Sequence, residues 1–223
     1  MKTKYLILII FTYFIFISCS ENEKNINSNY SHLPYFQFQN EDIPNLLNLP
    51  VLNSKLTFIN QDNDELYFDV VKSETEKQLH SRGNWVTSSS IKYFYYDEQE
   101  LLLKSNITHP NNDPVKINIR RWPTELDTNI FPHILSKTSI FQTYISVKPF
   151  NNKNGTINIK YNNTFVELYI NNKLFHKVIK IDLTNNPTSN NISELPSLDY
   201  IYFDVNEGII GFDDRNGKEW RLK

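Results

Sequence analysis

Apolar side chains recur at every second position through most of this chain, which is the period of a β-strand with one buried face. In one region the alternating apolar residues are Leu56, Phe58, Leu66, Phe68 and Val70. They form two runs separated by the polar segment 61–64, an arrangement typical of a β-hairpin. The pattern therefore predicts a hairpin over residues 56–70.

The same alternation continues to the C-terminus, interrupted by turn-forming residues. Asn-Gly dipeptides at 154–155 and 216–217 are typical of tight hairpin turns, and Asn171-Asn172 is expected to join the two strands of another hairpin. Further strands are expected at 115–119, 157–159, 165–170, 174–181, 200–205, 208–212 and 219–222. Only the short segments 42–47 and 131–137 have the pattern of a helical turn. The predicted fold class is all-β with minor helix, as an antiparallel β-sandwich or an incompletely closed barrel.

The first residues have a different pattern, that of an export signal. A short basic start, residues 1–4, precedes an apolar run over residues 5–17. This run is shorter than the roughly 20 residues that a helix needs to cross a bilayer. A basic start followed by a short apolar run predicts a secretory signal peptide over residues 1–18.

The one cysteine of the chain, Cys19, follows this apolar run directly. Ser18-Cys19 resembles a bacterial lipobox, in which a small residue precedes a cysteine that becomes lipidated; Phe16 stands where a lipobox usually has leucine. The resemblance implies lipidation of Cys19. Two alternatives are an ordinary signal peptide cleaved after Ser20 and a free thiol in an uncleaved segment.

The residues that follow Cys19 are polar and have almost nothing to bury. Such a composition is typical of a flexible tether. The predicted organisation is therefore a signal peptide (1–18), a lipidated cysteine with its tether (19–40) and a single antiparallel β domain (41–223).

Several of these segments also resemble small lipoproteins of the Bacteroidetes type. Residues 56–60 with 66–70 are similar to an early hairpin of that group, and residues 172–178, 200–203, 208–212 and 220–222 are similar to its C-terminal half. The resemblance implies a location in the cell envelope, as an outer-membrane lipoprotein on the periplasmic side or the cell surface. It also implies a β-rich domain, and it carries over no catalytic residue.

Composition and charge exclude several classes of protein. A single cysteine excludes a disulfide framework and a zinc or iron–sulfur site built from several thiolates. The formal net charge of −2 argues against a nucleic-acid partner. The absence of alanine favours strands over helices, but it is also what an AT-rich genome produces.

The sequence contains no motif that predicts catalysis, a metal site or a cofactor. It has neither Gly-x-Ser-x-Gly nor His-Glu-x-x-His, and its five histidines are scattered. Gly208 and Gly211 are expected to open a strand or to admit a neighbouring backbone. Residues 213–217 predict a hairpin turn rather than a calcium loop. Glu98 and Glu100 share one face of a strand, as paired acids in glycosidases do, but such pairs usually form a solvated face.

Aromatic residues are the remaining candidates for function. Residues 93–96 place rings on both faces of one strand, and Arg121 and Trp122 put a cation beside an indole. Exposed rings stack on sugars, whereas buried rings fill a core. The candidate ligand-binding residues are Trp85, Tyr95, Arg121 and Trp122.

Together these patterns predict a lipid-anchored protein of the cell envelope that is a non-catalytic binding or structural module. Its expected partners are the membrane, through the N-terminal lipid, and a glycan or an envelope protein. The alternatives are an accessory protein that captures glycans or peptides, and a hydrolase such as a glycosidase.

Overall fold

The computed structural model describes residues 33–82, 92–107, 114–124, 138–148, 150, 155–161, 164–185 and 195–223. The chain divides into two compact units, Met1–Tyr35 and Phe36–Lys223. The hydrophobic core of the described residues lies in the second unit. Cys19, Trp85 and the predicted helical segment 131–137 lie outside the described residues.

The described residues are almost entirely β-structure, with 63% of them in strands and no α-helix among them. The strands are β1 (Tyr35–Phe36), β2 (Lys55–Ile59), β3 (Glu65–Arg82), β4 (Lys92–Ser105), β5 (Val115–Pro123), β6 (Ser139–Ser146), β7 (Thr156–Ile159), β8 (Val166–Ile170), β9 (Lys173–Asp182), β10 (Leu198–Asp204), β11 (Gly208–Asp214) and β12 (Glu219–Leu222). One short 3-10 helix, Ile43–Asn45, has Pro44 in its first turn, where the missing N–H costs nothing. It lies in the segment 42–47 that the sequence predicted to be helical.

Eleven strands form one path in the order β7-β6-β5-β4-β3-β2-β12-β11-β10-β9-β8. The strand pairs along this path are antiparallel. The long hairpin β3–β4 forms the middle of one half, and the C-terminal meander β10–β12 forms the middle of the other. The predicted all-β antiparallel fold class is therefore confirmed.

The sheet curls into an open half-barrel. Strands β5 and β11 are five steps apart in the sheet, which corresponds to about 24 Å in a flat sheet. Yet Cδ1 of Ile117 in β5 lies 3.3 Å from the point where a Cβ would stand on Gly208 in β11. The two halves therefore meet across a core on the inner face, as expected for an incompletely closed barrel.

Aromatic rings connect the two halves inside this core. Phe58 contacts Phe68 at a centroid distance of 5.8 Å and Phe212 at 5.3 Å. Phe150 also contacts Phe212, at 5.3 Å. Because these rings come from distant parts of the sequence, the core holds the sheet in its curled shape.

The turns at 171–172 and 213–217 have the backbone geometry that their residues favour, and Asn154 of the predicted turn 154–155 lies outside the described residues. Asn171 and Asn172 join β8 to β9 with φ angles of 47° and 64°, which suits the twist of a two-residue hairpin. Gly217 has φ 79° in the β11–β12 turn, which confirms a hairpin turn at 213–217. Gly208 opens β11 with φ 80°, and a Cβ on Gly211 would lie 2.8 Å from the Trp220 carbonyl oxygen, so both glycines have the predicted roles.

The folded unit begins earlier than the predicted boundary at residue 41. Phe36 is only 8% exposed, and its ring packs edge-on against Phe94 of β4. Phe38 contacts Phe141 at 6.1 Å. Residues 36–40, assigned to the tether, are thus part of the domain, because the rings of Phe36 and Phe38 pack against the sheet.

Candidate functional site

An open groove of about 700 Å³ lies between the N-terminal segment of the domain and strands β5–β7. We call this site the groove. Its lining residues are Glu41, Asp42, Asn45, Arg121, Ile140, Phe141, Gln142, Asn158, Ile159, Lys160 and Tyr161. Ligand sites in proteins typically have volumes of about 300–1,000 Å³. The groove is therefore large enough to hold a small molecule or a short polymer.

A fixed ion pair forms one wall of the groove. Arg121 donates from Nη1 to Asp42 Oδ1 at 2.8 Å and from Nε to Ser139 Oγ at 2.9 Å. The other Asp42 oxygen accepts from the Gln39 backbone N–H at 2.8 Å. The side chains of Arg121 and Asp42 are 14% and 3% exposed. These contacts hold the guanidinium in one orientation before any ligand arrives.

The formal charges lining the groove balance. Glu41 is 71% exposed, and its carboxylate lies 3.6 Å from Arg121 Nη2. Lys160 is also exposed. With Asp42 and Arg121, the groove has two acidic and two basic side chains, so its net formal charge is zero.

Two aromatic rings, Phe141 and Tyr161, also line the groove. The rings of Phe141 and Tyr161 lie 5.4 Å apart. The Tyr161 hydroxyl is hydrogen-bonded to Thr143 Oγ1 at 2.6 Å, and burial raises the pKa of Tyr161 to about 12. This phenol is therefore neutral at pH 7 and does not serve as a base.

Asn45, Gln142 and Asn158 also line the groove, and Asn158 is exposed. The register pairs Gln142 with Arg120 and Asn158 with Tyr144, so these two carboxamides lie on the face of the sheet opposite to Arg121 and Phe141. Gln142 accepts a hydrogen bond from Arg120 Nε at 3.3 Å through its Oε1. Among the described lining residues there is no serine, cysteine or histidine. The ion pair and the two rings are groups that can bind a ligand by hydrogen bonds and stacking.

The four predicted ligand-binding residues do not form one cluster. Arg121 lines the groove, and Trp85 lies outside the described residues. Trp122 packs against His80, Phe94 and Tyr96, with centroid distances of 4.8, 5.2 and 5.0 Å.

Tyr95 is adjacent to Tyr96 in β4, so its side chain lies on the face opposite to Trp122. The ammonium of Lys77 lies 3.9 Å from the Tyr95 ring centroid. The cation that stacks on Trp122 is Arg120, at 4.0 Å. Neighbouring strand residues alternate between faces, which is why Arg121 points away from that indole.

Glu98 and Glu100 are buried, contrary to the prediction of a solvated face. They alternate with Leu101 and Leu103 of the core, which places them on the outer face of the sheet. Their residues are 8% and 6% exposed. Side chains from neighbouring strands cover them, which the spacing within β4 alone does not reveal.

The two carboxylates have opposite pKa shifts. Burial raises the pKa of Glu98, and the negative charge of Glu100 adds to this effect. Burial acts in the same direction on Glu100, but hydrogen bonds from Lys116 and Lys72 outweigh it and lower the pKa of Glu100. Two carboxyl groups with pKa values shifted in opposite directions are typical of an acid–base pair in an active site. The Glu100 side chain, however, is only 8% exposed, so a substrate has no access to it.

Around Glu100 lies a set of charges that we call the outer-face cluster: Lys72, Glu74, Glu76, Glu98, Glu100 and Lys116. Carboxylate oxygens of Glu74, Glu76 and Glu100 lie within 4.8 Å of one another, a spacing that metal ligands also have. The Lys72 ammonium lies 2.7 Å from Glu74 and 2.5 Å from Glu100. The Lys72 ammonium is therefore in contact with all three carboxylates and reduces the repulsion between them.

Sequence reasoning missed Asp42, Phe141 and Tyr161 as lining residues. In the sequence Asp42 has the signal of a helix start, and Phe141 and Tyr161 have none beyond strand-forming character. They meet only because β5, β6 and β7 pair and the N-terminal segment crosses their ends.

No protein-family model, curated protein or solved structure matches the chain. Within the described part of the chain, no helix has the length and apolar character that crossing a membrane requires.

Proposed function

We propose that this protein is a lipid-anchored protein of the cell envelope, and that its β domain is a non-catalytic binding module. The position of Cys19 is the observation that supports the lipid anchor. It is the only cysteine, and it stands directly after a basic start and a short apolar run. This arrangement suits a lipoprotein signal, and an exported thiol without a partner is otherwise a chemical liability.

The anchor has a simple physical basis. Each buried methylene contributes about 0.8 kcal/mol, so one acyl chain binds only marginally and two or more are needed for stable attachment. A lipidated cysteine with two or three chains meets that requirement. The polar segment between Cys19 and Phe36 would hold the domain about 20 Å from the bilayer, on either side of an outer membrane.

The observation that supports the binding role is the groove. Its arginine, with a side chain 14% exposed, is oriented by Asp42 and Ser139, and the rings of Phe141 and Tyr161 lie in the same lining. A hydrolase would need an accessible acid–base pair, whereas Glu98 and Glu100 are covered on the outer face. Binding without turnover is therefore the function that the arrangement supports best.

Substitution at the cysteine tests the anchor. In a host that processes lipoproteins, Cys19→Ser should leave the membrane fraction, and the purified native protein should carry the mass of two or three acyl chains. Ser20→Ala, which keeps the cysteine, is the matched control and should stay in the membrane fraction. Retention of Cys19→Ser in the membrane, or an unmodified thiol, would contradict the proposal.

A further inference from the structure

We propose that the outer face of strands β5–β7 binds an acidic oligosaccharide. We call this surface the basic face. It lies on the side of the sheet opposite to Arg121 and Phe141, so the inference extends the proposed binding role to a second site. The exposure of this face, its charge and its hydrogen-bonding side chains carry the inference.

The basic face is open to solvent. Ile117, Ile119 and Ile145 point into the core and are completely buried. Because side chains alternate along a strand, the residues between them point outward. Each outward-pointing residue of β5, β6 and β7 is at least partly exposed. The described part of the chain therefore leaves this face accessible to a ligand.

One row across the basic face consists of two cations with a carboxamide between them. Arg120 pairs with Gln142 in the β5–β6 register. Thr143 pairs with the buried Ile159 in the β6–β7 register, which places the exposed Lys160 beside Gln142 at the end of the edge strand. The backbones of Arg120 and Lys160 are thus two strand spacings, or about 10 Å, apart. An extended ligand that crosses the sheet can reach both charges.

Two further rows carry neutral polar side chains. Asn118, Tyr144 and Asn158 lie side by side in the register. In the next row, Ser146 pairs with Thr156. Carboxamides and hydroxyls both donate and accept hydrogen bonds, as sugar hydroxyls do. These rows therefore suit the hydroxyl groups of a sugar.

The charge of this face favours an anion. The described residues between 114 and 161 include no aspartate or glutamate. Lys116 forms an ion pair with Glu100 of β4. None of the described carboxylates forms an ion pair with Arg120, Lys148 or Lys160. An anionic ligand would supply the complementary charge.

Neutral neighbours hold Arg120 in place. Its guanidinium lies 4.0 Å from the Trp122 ring centroid and 4.9 Å from that of Tyr144. Glu98 is its cross-strand neighbour on β4, but this residue is only 8% exposed and accepts a hydrogen bond from Asn118. The guanidinium is therefore oriented by rings and keeps its capacity to bind an anion.

Two other kinds of anion fit this face less well. Single-stranded nucleic acids stack their bases on exposed rings, but Arg120 lies over both Trp122 and Tyr144. Binding to an anionic bilayer also uses apolar side chains that enter the interface, and among the described residues of this face only Ile140 is a strongly exposed large hydrophobic residue. The carboxylates of an acidic oligosaccharide match the cations, and its hydroxyls match the carboxamides.

Calorimetric titration of the full chain, in a non-ionic detergent without a sugar headgroup, tests this inference. The acidic titrants are oligogalacturonate, alginate and hyaluronan fragments of about four to six sugar units, which span a face about 20 Å long. Methyl-esterified oligogalacturonate has the same hydroxyl groups without the charge, so it is the matched neutral ligand. A short single strand of DNA and soluble dihexanoyl phosphatidylglycerol represent the two competing anions.

At least one acidic oligomer should bind with a dissociation constant below about 1 mM, and the neutral ester should bind at least about fivefold more weakly than oligogalacturonate. Raising the salt concentration from about 50 to 500 mM should weaken binding by at least about fivefold, because exposed charges become screened. Arg120→Gln and Lys160→Gln should each weaken binding by about fivefold. Lys160→Gln changes only an exposed side chain, so it tests the inference even if Arg120→Gln alters the fold. Lys177→Gln, at an exposed lysine of β9, is the matched control and should leave the affinity unchanged.

Other results would overturn the inference in distinguishable ways. Equal binding of oligogalacturonate and its neutral ester would refute the charge argument. Binding of the DNA or of the phospholipid, with the oligosaccharides inactive, would refute the ligand class. Binding of an acidic sugar that ignores both substitutions would place the site elsewhere. If no titrant binds, the inference fails, whereas the groove and the lipid anchor do not depend on this face and the Cys19→Ser result judges the anchor separately.

Discussion

The groove and the outer-face cluster both contain buried carboxylates with basic partners, yet they differ in access. In the groove, the Arg121–Asp42 pair forms one wall of an open volume, beside polar and apolar side chains. In the outer-face cluster, Glu100 is enclosed by Lys72 and Lys116. A buried ion pair next to open volume can orient a ligand, whereas an enclosed one affects only stability and register.

A second contrast lies inside the outer-face cluster. Glu98 and Glu100 are two residues apart on β4 and equally buried, but only Glu100 has lysine partners within bonding distance. Glu98 accepts from the neutral Asn118 amide at 2.7 Å. Burial alone therefore does not decide the direction in which the pKa of a carboxyl shifts; charged hydrogen-bond donors can reverse the effect of burial.

The largest effect is expected from breaking the pair in the groove. Arg121→Met keeps the aliphatic stem but leaves Asp42 buried without its cation. We expect the free energy of unfolding to fall by about 3 kcal/mol in urea titration. The double variant Arg121→Met with Asp42→Asn removes both charges and should be more stable than Arg121→Met alone; equal stability of the two would mean that the charge pair is unimportant.

The next effect is expected at Glu100. Glu100→Gln removes the ionised acceptor of Lys72 and Lys116, and we expect a loss of about 2 kcal/mol at pH 7. Because the folded protein holds the pKa of Glu100 below its ordinary 4.5, this contribution is present above that value and is lost as the pH falls through the folded pKa. Urea titrations of both proteins from neutral to acid pH should converge. A difference that persists in acid would argue against an electrostatic origin.

The opposite sign is expected at Glu98. Glu98→Gln keeps the acceptor for Asn118 and removes a buried charge, so stability at pH 7 should rise by about 1 kcal/mol or less. The folded pKa of Glu98 is raised, so the wild type loses stability as the pH rises from 4.5 through that pKa. The gain of the variant should therefore fade in acid, where wild-type Glu98 is protonated. A destabilised variant at pH 7 would show that the charged form is favoured.

The smallest effect is expected at Glu41. Its carboxylate lies 3.6 Å from Arg121, but it is 71% exposed. Surface substitutions of this kind change the free energy of unfolding by about 0.5 kcal/mol or less. If Glu41→Gln matched Arg121→Met in denaturant titration, the exposed carboxylate rather than Asp42 would be the partner that matters.

Most of the strand positions could be predicted because they depend on local pattern. The run over 115–119 and the Asn171-Asn172 turn are examples, and both have the predicted geometry. The groove could not be predicted in the same way. Arg121 was the one lining residue selected from the sequence. Asp42 and Tyr161 lie about 80 and 40 positions away from it along the chain, so no local pattern shows that the three side chains meet.

Alternation of apolar and polar residues was enough to predict many of the strands and which of their side chains share a face. It did not predict β6 or the extension of β3 from residue 70 to Arg82. Folding in three dimensions decided how far the sheet curls, which acids are covered and where a groove remains open. The physical reason is the range of the interactions. Strand character and turn geometry depend on a few adjacent residues. The pairing of distant strands such as β2 and β12, burial and pKa depend on neighbours from elsewhere in the chain.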